Sequence, residues 1–259
     1  VSYNHSELTI ACVQSLLTNS LIRHIVVVDN HSQTDEITAI KSLLSDRIDI
    51  IENKDNLGYG FGNNIGMRYL YDKYHDDYVL ICNPDTHIGQ KDLQKCVSFL
   101  STHDDVAVVA PIAKNILGQK TRSWWDIPSC TSMIFSMLRI RSPKYNVEQE
   151  IQGKEYLRVD CVLGALLLGR MSDLLAVGPY DENVFLYFEE TILGIKLAQQ
   201  NRQTVVMTKA LYEHNHSLSE TFHHKIQTNK NMLASREYVL KKYHGIKWPL
   251  MLLVKVVSF

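Results

Sequence analysis

The chain has 259 residues, a formal net charge of −1, and 45% hydrophobic against 21% charged residues. That describes an ordinary globule with ample core, long enough for one large domain or two small ones. The near-neutral balance argues against a nucleic-acid binder that relies on a broad basic surface. Cys12, Cys82, Cys96, Cys130 and Cys161 form an odd set with no CxxC pair, which favours free thiols in a reducing compartment over disulfides or structural zinc. No signal peptide is legible, and no uncharged apolar stretch reaches the roughly 18 residues of a membrane-spanning helix.

In chain order, Val1-Ser2-Tyr3 reads as the tail of a strand whose start lies upstream. His24–Asp29, Arg47–Glu52, Tyr78–Cys82 and Val106–Ala110 are short, β-branched or apolar runs that predict buried strands. Helical patterns lie between them, near Glu7–Thr18, Asp35–Ser45, Asn63–Tyr74 and Gln90–Thr102. Strands alternating with helices of this length imply βαβ units and a mainly parallel sheet. Residues 111–158 lose the rhythm and carry Trp124-Trp125, Pro128, Pro143 and an apolar patch over Met133–Ile140. Order returns with a strand over Val159–Leu168, a helix over Glu189–Gln200 and a strand over Gln203–Met207. The stretch Tyr238–Phe259 is basic and then apolar.

Polar residues close several of these strands. Asn4 follows Tyr3, Asp29-Asn30 follow Val28, and Asn83-Pro84-Asp85-Thr86 follow Cys82. Each cluster alone suits a turn or a helix cap. If the strands are parallel, all three share the carboxyl edge of the sheet, where open α/β sheets bind ligands. Asp85, kept out of any continuing ladder by Pro84, suits a hard divalent cation that also holds phosphate oxygens. The glycine-rich run Asn56 to Gly66 precedes a helix and lets backbone approach a ligand closely. Its Gly60-x-Gly62-x-x-x-Gly66 spacing is one residue too long for a dinucleotide fingerprint and follows the wrong strand.

Glu189-Glu190 follow the aromatic run Phe185-Leu186-Tyr187-Phe188 at the mouth of a helix. Acids are common there for dipole reasons. A base that removes a proton from a sugar hydroxyl also needs such a carboxylate, near apolar walls that raise its pKa. His214 and His216 lie near a strand end, as structural residues or as partners of Asp85 in a mixed oxygen and nitrogen site for Mn²⁺ or Mg²⁺.

Taken together, Tyr3-Asn4, Val27 to Ser32, Asn56 to Gly60 with Asn63-Asn64, and Asn83 to Thr86 resemble family 2 glycosyltransferases. So do, in the second half, Gly164-Ala165 before Arg170, Val177 to Glu182, Phe185 to Glu190, and His214 before Ser219. The resemblance runs in order over roughly residues 1 to 220 and is greatest to rhamnosyltransferase-type enzymes of bacterial surface-polysaccharide assembly, including those of O-antigen and capsule.

The resemblance implies a GT-A fold, with a Rossmann-like, mainly parallel sheet flanked by helices and continuous through both halves. Residues 1–110 would bind the nucleotide sugar, 111–220 would bind the acceptor and catalyse, and 221–259 would form a helical, membrane-associating tail. It implies an inverting transfer from a nucleoside-diphosphate sugar, dTDP-rhamnose or a UDP-hexose, to a glycan or lipid-linked glycan. Asp29 matches the acid that contacts the nucleotide base or ribose, and Tyr3, Asn4, Asn56, Gly58, Asn64 and Asn83 fall on the donor-binding segments. Asp85 matches the metal-binding carboxylate, with Mn²⁺ or Mg²⁺ as cofactor, and His214 a histidine on metal and diphosphate. Glu190 stands where the family's catalytic Asp does, with Glu189 beside it.

Two residues depart from the family pattern. Glu190 is one methylene longer than Asp, and Ile192 stands where a further Asp is common. The alternatives in class are a nucleotidyltransferase, a non-catalytic nucleotide-binding module, and a transferase that has lost its activity. Lys241, Lys242, His244 and Lys247 precede the apolar run Trp248–Val257, broken by Lys255. That pattern suits an interfacial helix on an anionic cytoplasmic leaflet, or a terminal helix packed on the protein's own core. The expected location is cytoplasmic, peripheral to the inner face of the membrane.

Overall fold

The predicted strands of the first half form where their β-branched runs lie. The computed structural model describes residues 1–137, 145–215 and 222–246. Its first half comprises α1 (Ser6–Leu17), β1 (Ile25–Asp29), α2 (Thr34–Lys41), β2 (Ile48–Glu52), α3 (Tyr59–Tyr74), β3 (Tyr78–Cys82), β4 (Thr86–Ile88), α4 (Gln90–Thr102) and β5 (Val106–Lys114). Then come β6 (Trp124–Trp125), α5 (Cys130–Met137), α6 (Val147–Ile151), β7 (Tyr156–Val159), β8 (Cys161–Val162), β9 (Leu166–Arg170), α7 (Met171–Val177), α8 (Glu189–Gln199), β10 (Gln203–His214) and α9 (Phe222–Lys242).

The main sheet has six strands, ordered β3-β9-β5-β10-β4, with β7 also on β10. β5 and β10 pair in parallel, and β3 shares their direction because antiparallel β9 lies between β3 and β5. β5 is buried along eight of its nine residues, as a central strand covered on both faces must be. One cover is α4, whose Leu93, Cys96 and Leu100 recur every three or four residues and are almost fully buried. Removing each such leucine from water contributes roughly 1.5–3 kcal/mol. Pro111 is tolerated mid-strand because the β5–β10 register shifts between Met207 and Leu211, opposite Pro111 and Ile112.

The sheet is not continuous. β1 and β2 form a separate parallel pair. A cavity of about 450 Å³ parts them from the main sheet, lined by Val26 and Val28 of β1 and Val79 and Ile81 of β3. Among the described residues, Ser2 alone joins β1 from that side, bridging Asp29 in parallel. The strand expected over Val159–Leu168 is likewise broken. The Leu163 amide donates to the Ser123 carbonyl (2.9 Å), continuing a pairing of β8 with β6 apart from the main sheet, and the Gly164 amide turns to a side chain of α8. In the stretch without legible rhythm, β6 pairs with β8, placing Trp125 opposite Cys161.

Candidate active site

β4 is the short element that assembles the metal-type pair. It runs antiparallel on the end of β10 and sets His214 opposite Thr86. The Asn215 amide donates to the Asp85 carbonyl (2.9 Å), and His214 Nε2 lies 3.3 Å from Asp85 Oδ2. Both side chains are largely buried. Asn83, two residues before, is fixed through its backbone: its amide donates to the Ala165 carbonyl, and its carbonyl accepts from Thr86. Among the described residues, no third His, Cys, Asp or Glu joins the pair to make a closed metal cage. One carboxylate and one imidazole suit a cation that takes its remaining ligands from substrate oxygens and water, the habit of Mg²⁺ and Mn²⁺ at phosphate sites. His216 lies outside the described residues.

The carboxylate pair sits at the mouth of α8, after a turn unusual for its residues. Tyr187 and Phe188 both take left-handed backbone, φ +71° and +69°, which a bulky side chain adopts only at a cost. The turn leaves Glu189 2% exposed, with a buried Oε1 that has no hydrogen-bond partner among the described residues. Burial, and then the charge of Glu190, push the Glu189 carboxyl up to about 8. Burial also raises Glu190.

Glu190 Oε1 accepts from the Gly164 amide (3.0 Å), and the Tyr59 hydroxyl donates to the Gly164 carbonyl (2.7 Å). The Gly164 peptides are thus gripped from both sides. A Cβ at Gly164 would come within 2.9 Å of Glu190 Oε1, so any larger residue would push the Glu190 carboxylate from this position. Trp125 closes the flank, its indole N–H donating to Thr191 Oγ1 (3.2 Å). Tyr212, buried on β10, links the two halves. Burial raises its phenol pKa, and the charges of Asp85 and Glu190 both add to the rise.

At the nucleotide-type end, Asp29 is 2% exposed and accepts from Ser32 through both oxygens. Asn4, with φ +53°, donates its amide to Ser32 Oγ and accepts from the Gln33 amide, both at 2.8 Å. Tyr3 beside it is 48% exposed. Asn30 donates to the Gly58 carbonyl (3.0 Å), while Asn56 Oδ1 accepts from the Gly58 amide (3.1 Å).

The glycine-rich run was expected to bring backbone close to a ligand. Its close approaches are made to the protein itself. At Gly58, with φ +103°, a Cβ would lie 2.3 Å from the Phe185 carbonyl oxygen, and at Gly60 one would lie 2.8 Å from Tyr180 Cβ. Asn64, placed in the donor loop by sequence, is 1% exposed. It donates to the Tyr180 carbonyl and Glu182, and accepts from the Tyr180 amide. Its amide braces the loop that leads to the carboxylates. Sequence reasoning assigned no role to Tyr59, Gly164, Tyr212 or Trp125. Tyr59 stands in the glycine run and Gly164 in an apolar strand, both within segments of the family resemblance, Trp125 belongs to paired aromatics in unpatterned sequence, and Tyr212 lies two residues before His214.

Haloferax volcanii low-salt glycan biosynthesis hexosyltransferase Agl10 is 25% identical over 183 residues, covering 70% of this chain and 55% of that protein. The N-acetylglucosaminyl-diphospho-decaprenol L-rhamnosyltransferase of Mycobacterium tuberculosis is 25% identical over 192 residues, covering 70% and 60%. The chain therefore spans little more than half the length of these relatives. In fold, it matches the crystal structure of GalNAc-T7 with UDP, GalNAc and Mn²⁺ at a TM-score of 0.64 and 13% identity, over 90% of this chain and 45% of that one. The fold is GT-A. The profile of family 2 glycosyl transferases matches residues 1–162, from Tyr3-Asn4 through the Asp85 strand end to β8, and the chain belongs to that family.

Proposed function

We propose that the protein is a metal-dependent, inverting hexosyltransferase that moves a sugar from a nucleoside diphosphate to a glycan or lipid-linked glycan acceptor. One observation carries most of this reading. The charges of Asp85, which His214 approaches, and of Glu190, held on the Gly164 amide, both act on the same buried phenol, Tyr212. Cation ligands and a raised carboxylate so arranged suit transfer from a diphosphate to a hydroxyl.

In this reading Tyr3 offers an exposed ring for the base, and the Asn4–Asp29–Ser32 network fixes the loop against which the ribose lies. Asp85 and His214 would hold Mn²⁺ or Mg²⁺, which when bound offsets charge building on the leaving diphosphate. Glu190 removes the acceptor proton as that oxygen attacks the anomeric carbon from the opposite face. A single displacement with no covalent intermediate inverts configuration. Glu189 holds its proton up to about 8, so Glu190 ionises beside a neutral acid and not beside a second carboxylate.

The named substrate of the mycobacterial relative supports L-rhamnose as the sugar and a polyprenyl-diphosphate-linked acceptor. The tail beyond Ile246, outside the described residues, would then hold the enzyme at the inner face of the membrane. Among the described residues, no helix is long and apolar enough to cross a membrane.

The test is a donor screen of purified protein with Mn²⁺ or Mg²⁺ against dTDP-rhamnose, UDP-glucose, UDP-galactose and GDP-mannose, with a lipid-linked glycan acceptor. Acceptor-dependent release of nucleoside diphosphate is expected. Release of sugar 1-phosphate instead, with the nucleoside monophosphate passed to the acceptor, would make the protein a nucleotidyltransferase, and tight nucleotide binding without turnover would make it a binding module.

A further inference from the structure

The chain between α7 and α8 is gripped from two sides just before it delivers the carboxylates. On one side stand the residues around the start of α3. Asn64 holds Tyr180 and Glu182, and the Tyr59 amide donates to the Phe185 carbonyl (3.1 Å). On the other side stands α9. Ser235 Oγ donates to the Leu186 carbonyl (2.7 Å), and the Arg236 guanidinium lies 5.8 Å from the centre of the Phe188 ring. Val239 and Leu240 of α9, with Ile246, pack against Val184 and Ile192.

Asp181 is the polar centre of that second grip, and its side chain is 5% exposed. Its Oδ2 accepts from the Tyr238 hydroxyl (2.9 Å), the Lys242 ammonium (2.9 Å) and the Tyr243 hydroxyl (2.6 Å). Its Oδ1 accepts from the amide and the side chain of Asn183. Burial works against the charge, yet the bonds from Lys242, Tyr243 and Asn183 outweigh it and hold the carboxyl well below its ordinary range. A carboxylate saturated by donors from two elements is a pin between them.

We propose that Asp181 is a positioning residue, pinning the end of α9 to the 179–188 loop and thereby fixing how Glu189 and Glu190 enter the site. The loop cannot hold its course by local preference, since Tyr187 and Phe188 occupy left-handed backbone. Such a conformation persists only when its surroundings over-determine it. α9 supplies one of the two surfaces that do so. Only the expected effect on rate rests on the sugar-transfer reading.

The experiment compares the full chain with Asp181→Asn and with Tyr243→Phe, which removes a single hydroxyl. Amide hydrogen exchange is followed over 184–192 and over the end of α9. The glutamate carboxyls are titrated by carbon-13 NMR and assigned with Glu189→Gln and Glu190→Gln. In Asp181→Asn, amides 186–190 should exchange at least about tenfold faster, and the raised Glu189 titration should fall toward the ordinary carboxylate range. Turnover should fall by about tenfold or more while donor KM stays within about threefold, since the geometry of the base is lost and not the donor site. Tyr243→Phe should show the same changes to a smaller degree, and it carries the test alone if Asp181→Asn fails to fold. Faster exchange confined to α9, with amides 186–190 and the Glu189 titration unchanged, would overturn the proposal. Exchange and titration need no substrate, so failure to find a transferase activity leaves this test intact.

Discussion

Replacing Glu189 with Gln tests the electrostatics of the site without any knowledge of substrate. Glu189 is buried and holds its proton up to about 8, against 4.5 for the free side chain. The unfolded chain releases that proton near 4.5 and the folded chain near 8, so between those values the folded state binds the extra proton. Stability is therefore full below about 4.5 and falls as pH rises through the window to about 8. At about 1.4 kcal/mol per unit, the shift corresponds to a ceiling on the order of 5 kcal/mol. Glutamine mimics the protonated acid but cannot ionise, so Glu189→Gln removes this slope. Urea unfolding of both proteins, in steps from about pH 4 to about pH 9 at constant ionic strength, reads it directly. The variant should lie close to wild type at the acid end and gain relative stability, on the order of a few kcal/mol, at the alkaline end. The acid limb of turnover should stay in place, because Glu189 is already neutral there and glutamine reproduces that neutral neighbour. Stability curves that stay parallel through the window would refute the buried, protonated Glu189.

Glu190→Gln should lower transfer by about two to four orders of magnitude with nucleotide binding intact, read by steady-state rates beside calorimetry, because the amide keeps the shape but accepts no proton. Glu189→Gln should cost less, and an equal or larger loss would move the base to Glu189. Asp85→Ala should weaken binding of UDP or dTDP chiefly when Mn²⁺ is present, and an equal change with and without the ion would make Asp85 a structural cap. Ending the chain after Ile246 should move the protein from membrane pellet to supernatant while activity on a soluble acceptor analogue survives. The cut belongs there and not before Tyr243, because Tyr243 bonds Asp181 and Ile246 packs with Val184 and Ile192.

The strands closed by polar residues were legible because short apolar runs and turn chemistry are local signals. Asp29 and Asp85 could be placed at strand ends from those signals alone. The pairing that brings Asp85 to His214 was not legible, since β4 has three residues and a strand that short leaves no period to read. A different limit hid the place of β9, whose first residues fall in the strand expected over Val159–Leu168: its antiparallel insertion between β3 and β5 depends on partners about 60 to 90 positions away in the chain. The break at Leu163-Gly164-Ala165 lay inside an unbroken apolar run. Only the tertiary demand of Glu190 for the Gly164 amide reveals it. For Asn64, a sequence cannot show that its amide is spent on Tyr180 and Glu182.

The two departures from the family pattern have separate physical explanations. Glu190 reaches one bond farther than Asp, and the far end of that reach is the Gly164 amide, at a residue where a Cβ would crowd its oxygen. The longer acid is thus matched by a glycine across the cleft, and the carboxylate keeps a backbone donor that favours its charged form against burial. Ile192 faces the other way round α8. It is fully buried, with Val184, Val239, Leu240 and Ile246 in the same cluster. A carboxylate among those side chains would lose its hydration without gaining a partner, at a cost of several kcal/mol. In this chain the position joins α8 to α9 through apolar packing, two residues after the carboxylate pair. The helix that grips Asp181 is therefore seated on the helix that carries Glu190, and the departure at Ile192 is part of how that seat is built.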